Sequence, residues 1–358
     1  MAPPTTGQAV SRTEFHRLRV ARVDPLTGDS AAVTFDVPPG LAERFAFAPG
    51  QSLTIRRDEE RRSYSICAAR GRAPRIGVRE VAGGAVSGWL VHEVRPGDVI
   101  EVQAPSGSFI PDLDVPGHHV LIAAGSGITP VLSIASSVLA AQDKAMVTLI
   151  YGNRRNDSVM FADEIADLKD AYPERVCLVH VLSREPQEVE LFNGRLDVAK
   201  LRTLLPVTVE VAAVDHWWLC GPFGLVEAAI ALLAELGVPR GTVHRELFYV
   251  EDIAPAPATH AEAAAGPGAE VTVLLDGRSS TVTVPHGTPV LDGAQRVRPD
   301  LPFACKGGVC GTCRARLVDG EVTMRRNYAL EQDELDAGYV LTCQSLPVSD
   351  QITVDYDA

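Results

Sequence analysis

The chain has no run of eighteen or more apolar residues, which excludes a transmembrane helix of ordinary length. Its first residues, MAPPTTGQAVSRTEFHR, lack the basic-then-apolar order of a secretory signal, so a cytoplasmic location is expected. Positive charge is also scarce. The chain has 33 Lys and Arg against 46 Asp and Glu, a net charge of −13, and no basic cluster of the kind that grips phosphate backbones. Neither a nucleic acid nor a membrane is expected as a partner, and a docking protein should meet an acidic surface. No internal repeat is visible. What is present is ordinary globular material: 46% hydrophobic and 22% charged residues over 358 positions, more than one core usually organises, so two or three domains are expected.

The clearest break is DIAPAPATHAEAAAGPG, where Ala, Pro and Gly dominate and no apolar period survives, which reads as a linker over 251–268. Before it, residues 12–116 show short alternating runs parted by Gly and Pro, such as Ser52-Leu53-Thr54-Ile55 and Val99-Ile100-Glu101-Val102, the pattern of an antiparallel β-barrel. Over 117–250 the rhythm changes to apolar strand then helix: HHVLIAA before VLSIASSVLAAQ, MVTLIY before MFADEIADLKDAY, then VCLVHVL, and WWLC before LVEAAIALLAEL. That alternation predicts an α/β domain on a parallel sheet. After the linker, over 269–358, VTVLLDG and STVTVP predict a hairpin, followed by a Cys-rich loop and a closing strand, QITVDY.

Seven cysteines in a long chain without an export signal point to metal or redox chemistry rather than disulfides. Cys305, Cys310 and Cys313 form a C-x4-C-x2-C run in PFACKGGVCGTCRARL, and Cys343 follows in YVLTCQS, the plant-type [2Fe–2S] spacing. Two irons need four thiolates. One loop can supply three if Gly307, Gly308 and Gly311 let the backbone fold tightly and aim N–H groups at the sulfurs. A four-cysteine zinc site is the alternative, but it usually pairs two short knuckles, and here a single C-x2-C comes with two lone cysteines. Cys67 and Cys177 sit in apolar runs and are expected in cores. The last ninety residues resemble a plant-type ferredoxin domain, which implies an α+β (β-grasp) fold and a one-electron carrier of low potential.

Arg62-Ser63-Tyr64-Ser65 offers an Arg to neutralise a pyrophosphate, a Tyr ring to stack on an isoalloxazine and the Ser65 hydroxyl to reach the flavin's reactive nitrogen. Val78-Arg79 and the run Gly83-Gly84-Ala85-Val86-Ser87 follow, with Gly84, Val86 and Ser87 at a helix start where N–H groups can meet a diphosphate. Each motif alone also fits a solvated strand or a plain turn. Together they resemble the ferredoxin–NADP reductase family, which implies FAD rather than FMN.

Gly125-Ser126-Gly127-Ile128-Thr129-Pro130 follows an apolar strand and opens a helix, the context of a dinucleotide phosphate loop. Pro130 stands where a Rossmann fingerprint has its third glycine, in agreement with the G-x-G-I-T-P of the same reductase family. Ser183-Arg184 follows VCLVHVL, where such folds read the adenosine ribose. A hydroxyl with a guanidinium suits a 2′-phosphate, so NADPH is expected over NADH, with Glu185 opposing and Arg154 or Arg155 as further phosphate contacts. Cys220-Gly221-Pro222 matches the family's C-G-P motif, and Glu246-Leu247-Phe248 its E-x-F ending. By that resemblance Cys220 lies beside the nicotinamide and Phe248 near the flavin, and with Tyr64 and Ser65 they position the two rings.

No residue needs to act as acid, base or nucleophile toward an organic substrate, and no pocket for a CoA thioester is recognisable. The domain order implies a chain that takes a hydride and releases single electrons. At YGNRRNDSVMFADEIADLKDAYPERVCLVHVLSREPQEVELFNGRLD and RRNYALEQDELDAGYVLTCQS the sequence is similar to the reductase components of phenylacetyl-CoA epoxidase complexes. This implies di-iron oxygenase subunits as the acceptor, in aerobic phenylacetate catabolism. The reductases of 3-ketosteroid 9α-hydroxylases, which feed Rieske oxygenases, share the domain order and remain the alternative.

Overall fold

The computed structural model describes residues 14–249, 268–330 and 332–358. The first unit is built from β1 (Phe15–Thr27), β2 (Ser30–Asp36), β3 (Ser52–Arg57), β4 (Glu60–Ser65), β5 (Arg75–Arg79) and β6 (Val99–Gln103), with helix α1 (Ala85–His92) inserted before β6. They form one antiparallel sheet in the order β4-β3-β6-β1-β2-β5, and a bridge between Ile66 and Ile76 joins its two ends into a barrel. The inward side chains, among them Leu18, Phe35, Leu53, Ile55 and Val78, are fully buried.

The second unit holds β7 (His118–Ala124), α2 (Ile128–Ala141), β8 (Met146–Asn153), α3 (Ala162–Ala171), β9 (Val176–Leu182), α4 (Val198–Thr208), β10 (His216–Pro222), α5 (Phe223–Glu235) and β11 (Val243–Tyr249). Its sheet is wholly parallel, in the order β11-β10-β7-β8-β9. Leu121 and Leu149 pack on one face with Val131 and Ile165, while Val120 and Ile150 pack on the other with Leu204 and Val226. Helices on both faces explain why these strands are continuous apolar runs rather than alternating ones. The strand order reverses between β7 and β10, the switch point outside whose carboxyl ends open α/β sheets bind nucleotides.

Barrel and α/β unit share a core. Ala32, Cys67 and Phe109 join the cluster around α2, Ser133 donates to the Ala68 carbonyl (2.6 Å), and Arg75 pairs with Glu164 on α3 (2.8 Å). The third unit contains β12 (Gly268–Leu275), β13 (Arg278–Pro285), α6 (Val290–Ala294), β14 (Arg314–Asp319), β15 (Val322–Met324), α7 (Gln332–Asp336), β16 (Tyr339–Leu341), β17 (Ser345–Pro347) and β18 (Gln351–Asp355). Its main sheet runs β13-β12-β18-β14-β16, with β12 and β18 parallel, over its own core of Val271, Leu291, Leu341 and Val354.

The linker expected over 251–268 lies outside the described residues except for Gly268, which already pairs in β12. Cys67 is buried as expected. Cys177 is not: it is exposed, because β9 alternates at its start and Cys177 takes an outward position beside buried Val176. No helix among the described residues is long and apolar enough to cross a membrane.

At the opposite end of the parallel sheet, three imidazoles line up across the starts of β7, β10 and β11. His119 is fully buried, stacks on His216 (5.1 Å between ring centres) and accepts from the Trp218 indole (3.1 Å), while His244 stacks on Trp218 (4.0 Å). Burial first, and then His216, push both His119 and His244 from 6.5 down to about 4. Both rings are therefore neutral in the fold but take protons in the unfolded chain below pH 6.5. Their contribution is intact above 6.5 and is lost as pH falls toward 4, roughly 3 kcal/mol for His119 and less for the more exposed His244. Urea midpoints at pH 7 and pH 5 should show this loss, and His119→Asn should flatten it. A wild-type midpoint unchanged over that window would contradict the assignment.

Candidate flavin, nicotinamide and cluster sites

β4 brings three expected flavin residues to one strand. Ser65 is buried, and Tyr64 packs on the barrel core, where burial raises its phenol well above the ordinary value. Arg62 is half-exposed and turned to Glu60 (3.0 Å), so its charge is already partnered. On β5, Val78 is fully buried, which leaves only its main chain to meet a ligand. Arg79 reaches across to the α/β unit and donates to the Ser158 carbonyl (2.7 Å). Gly84 is the N-cap of α1, Val86 is buried, and the Ser87 hydroxyl is used within the turn, accepting from Val81 N (3.1 Å) and donating to the Gly84 carbonyl (3.2 Å). No side chain caps α1, so its first-turn amides keep the open donors that a diphosphate needs.

The phosphate loop and the C-G-P motif, ninety-odd positions apart in sequence, meet at the switch point. A Cβ on Gly127 would overlap the Cys220 carbonyl, so only glycine lets the turn approach the end of β10. Gly125 accepts from the Tyr151 hydroxyl (2.9 Å), and Gly221 lies against Ala124. Thr129 and Pro130 are buried. Thr129 donates to the Ser126 carbonyl (3.0 Å), and its methyl occupies the space a side chain at Gly77 would fill, so both residues shape the loop rather than face a ligand. Pro222 is the half-buried N-cap of α5.

Sequence reasoning singled out Phe248 in the E-x-F ending and passed over its neighbour. Glu246 sits opposite Cys220 in the β10–β11 register and accepts a hydrogen bond from Ser65 Oγ (3.1 Å), joining the flavin strand to the nicotinamide sheet. Burial pushes its carboxyl up to about 7, against the pull of Ser65. The fully buried Cys220 thiol is pushed up by desolvation and by Glu246. No local signal marks Glu246, since His244 and Arg245 precede it on the same strand. Phe248 lies 37% exposed near the end of β11, where the register with β10 slips.

Ser183 and Arg184 follow β9, exposed, and their amides donate to the Asn153 (3.0 Å) and Arg154 (2.8 Å) carbonyls at the end of β8. Arg154 and Arg155 are exposed beside them. Glu185, the residue that argued against a 2′-phosphate, accepts from Asn156 N (2.9 Å), directly after Arg155.

In the third unit the four cysteines come together as two pairs. A hydrogen bond with Cys310 draws the Cys305 thiol down to about 5, and one with Cys313 draws Cys343 down. Gly307 N points at Cys305 Sγ (3.3 Å), Thr312 Oγ1 lies 3.1 Å from Cys310 Sγ, and Gln344 ties Cys343 to the Lys306 carbonyl (2.8 Å). Gly308 has φ +80, a backbone state side-chain-bearing residues rarely adopt, and Gln344 and Arg326 crowd its missing Cβ. Among the described residues no three His, Cys, Asp or Glu close around a single ion. Two pairs of thiols, each able to hold one iron, fit a [2Fe–2S] cluster better than a mononuclear zinc.

Comparisons with known proteins agree with this geometry. Family models match in order: an oxidoreductase FAD-binding domain over 17–110, an oxidoreductase NAD-binding domain over 121–230 and a 2Fe-2S iron-sulfur cluster binding domain over 273–348. The chain is 40% identical over 359 residues to one of the subunits of 1,2-phenylacetyl-CoA epoxidase from Escherichia coli (strain K12), covering 97% of this chain and 99% of that protein. The chain belongs to this oxygenase-reductase family. It is also 36% identical, over 95% of each chain, to the ferredoxin reductase component of 3-ketosteroid-9-alpha-monooxygenase of Mycobacterium tuberculosis. The solved phthalate dioxygenase reductase shares the fold of the reductase at a TM-score of 0.57 and 24% identity, over 95% of this chain and 98% of that one. The reductase is thus an NAD(P)H-dependent oxidoreductase with FAD and a [2Fe–2S] cluster, an electron-transfer component of oxygenase systems.

Proposed function

We propose that this reductase passes electrons from NADPH through FAD and the [2Fe–2S] cluster to the di-iron oxygenase subunits of a phenylacetyl-CoA epoxidase, in the cytoplasm, for aerobic phenylacetate catabolism. Its units are the FAD barrel (12–116), the nucleotide domain (117–250), a linker (251–268) and the ferredoxin domain (269–358). The observation that carries the reading is the Ser65–Glu246 bond, which sets the flavin strand against the strand ends bearing Cys220 and the phosphate loop. The acceptor rests on the similarity to the Escherichia coli protein over nearly the whole chain.

Bound flavin would take a hydride from the nicotinamide and release its electrons singly to the cluster. The chain's own residues position and enclose. Tyr64 and Ser65 line the flavin side, Gly84, Val86 and Ser87 present main chain to the diphosphate, and Val78 and Arg79 complete that wall. Gly125, Gly127, Thr129 and Pro130 form the nucleotide loop, while Cys220, Gly221 and Pro222 bound the nicotinamide. Phe248 closes the edge, and Arg62 must exchange Glu60 for the pyrophosphate. Glu246, its carboxyl pushed by burial up to about 7, is divided between protonated and ionised forms at neutral pH, next to the Ser65 hydroxyl.

The choice of NADPH is supported by Ser183, Arg184, Arg154 and Arg155, all exposed, with the amides of the first two bonded to the end of β8 and to Arg154. Arg184→Ala should raise KM for NADPH roughly tenfold or more while moving KM for NADH little, the size of a charge-assisted hydrogen bond. Equal losses with both nucleotides would place the 2′-phosphate elsewhere.

Mixing the reductase, NADPH, oxygen and phenylacetyl-CoA with the phenylacetyl-CoA oxygenase subunits freed of their own reductase tests the acceptor. Thioester should disappear in step with NADPH. The relatives serving 3-ketosteroid monooxygenase favour a second reading. NADPH consumption without thioester conversion, together with turnover of a Rieske oxygenase, would establish that reading.

A further inference from the structure

The barrel and the ferredoxin domain meet at a contact that none of the motifs accounts for. Arg61, between Glu60 and Arg62 on β4, reaches into the third unit. Its Nη1 donates to the Leu301 carbonyl and its Nη2 to the Pro299 carbonyl, both at 3.2 Å. The guanidinium lies 4.5 Å above the Phe303 ring and 5.2 Å from that of Phe15 on β1. Beyond it, Lys306 Nζ approaches the Phe303 ring (4.7 Å), anchored by Asp292 (2.8 Å) and Gln295 (2.9 Å). Residues 59–62 and 303–306 thus face each other across one narrow cleft, and Cys305 is among them. A second contact, Phe223 edge-on to Tyr328 (5.1 Å), ties the ferredoxin domain to the start of α5, directly after the C-G-P motif.

We infer that Arg61 is a positioning residue that clamps the ferredoxin domain onto the flavin barrel, fixing the Cys305 side of the cluster loop against the strand that carries Tyr64 and Ser65. This rests on the flavin-to-cluster reading above.

Arg61 is only 9% exposed, and no carboxylate among the described residues is hydrogen-bonded to it. Burial and the neighbouring Arg56 weaken its hold on its proton, and Glu59 and Asp300 compensate only through space. Burying a cation is costly unless its donors are satisfied, and here the two carbonyls and the Phe303 ring are supplied only in the docked arrangement, Phe15 being the barrel's own. Undocking would also leave those carbonyls without the clamp. The contact is therefore selective for one orientation, the usual role of a desolvated charge at an interface. Both ends of the clamp are short and stiff: Tyr64 is three strand residues from Arg61, about 10 Å at strand rise, and Cys305 is two residues from Phe303.

The test compares wild-type holoprotein with Arg61→Met and Arg61→Lys under anaerobic mixing with NADPH, following flavin bleaching and, by freeze-quenched EPR, cluster reduction. Hydrogen exchange over residues 299–305 is measured in the same holoprotein. For Arg61→Met, bleaching should stay within about twofold while cluster reduction slows roughly ten- to hundredfold, the cost of a small misplacement. Exchange over 299–305 should quicken, and Arg61→Lys should recover part of both. A general structural defect would slow bleaching as well. Unchanged cluster reduction, or unchanged exchange, would overturn the clamp. A wild-type protein whose flavin NADPH does not bleach, or whose cluster dithionite does not reveal, would instead remove the reading beneath it. Should Arg61→Met not fold, Phe303→Leu tests the same contact from the other side, with the same two readouts.

Discussion

Replacing Cys310 by serine is expected to abolish electron delivery through the cluster while NADPH-dependent ferricyanide reduction through the flavin is largely kept. The expectation follows from the pairing of thiols. Cys310 pairs with Cys305, beside Thr312, and on the proposed assignment the two would hold one iron, for which a serine hydroxyl is a harder and much less acidic donor than a thiol. The flavin and nucleotide residues lie on other units with cores of their own, so their chemistry need not follow the cluster. The [2Fe–2S] EPR signal after dithionite, cytochrome c reduction and ferricyanide reduction, measured on one preparation, separate the steps. Loss of ferricyanide reduction together with the EPR signal would mean that the cluster holds the whole molecule together.

The second large effect is expected at Gly127. An added methyl would meet the carbonyl and carbon of Cys220 and the amide of Gly221, all main chain, so no side chain can turn aside to make room. Either the phosphate loop or the end of β10 must shift, and on the proposed assignment each carries half of the nicotinamide site. Gly127→Ala should lower kcat/KM for NADPH-driven flavin bleaching roughly a hundredfold, as a displacement of order 1 Å does to a reacting pair. Flavin binding and the dithionite-reduced EPR signal should persist, because the cores of the barrel and of the ferredoxin domain contain no residue of this turn. A variant with near wild-type bleaching would show that the two motifs do not share one site.

The elements that were legible in sequence have one period and short punctuation. HHVLIAA, MVTLIY and VCLVHVL became β7, β8 and β9 because strands buried on both faces need no polar residues. The cysteine spacing and the strand–loop–helix context of GSGITP were equally direct, because a cluster or a phosphate restricts the chain over a few consecutive residues. Other elements lack such a local signature. The thirteen-residue β1 is interrupted by register slips near Arg22 and Thr27, which break its alternation of buried Leu18 and Val20 with exposed arginines. Helix α4 carries Pro206 and is fixed by its Asp197 cap and by packing of Leu201 and Leu204. Glu246 and Arg61 gain their roles from residues 181 and about 240 positions away. Nothing in their own neighbourhoods separates them from ordinary surface charges.

Hydride equivalents that enter at the Cys220 end should leave one electron at a time through the four-cysteine cluster. Anaerobic rapid mixing of the purified reductase with NADPH, with flavin absorbance and cluster EPR followed on the same time course, addresses this sequence of steps without any acceptor protein. Flavin should bleach first, and a [2Fe–2S] signal should grow afterwards at the expense of the bleached flavin. A cluster that stays oxidised under NADPH and is reduced only by dithionite would contradict that order.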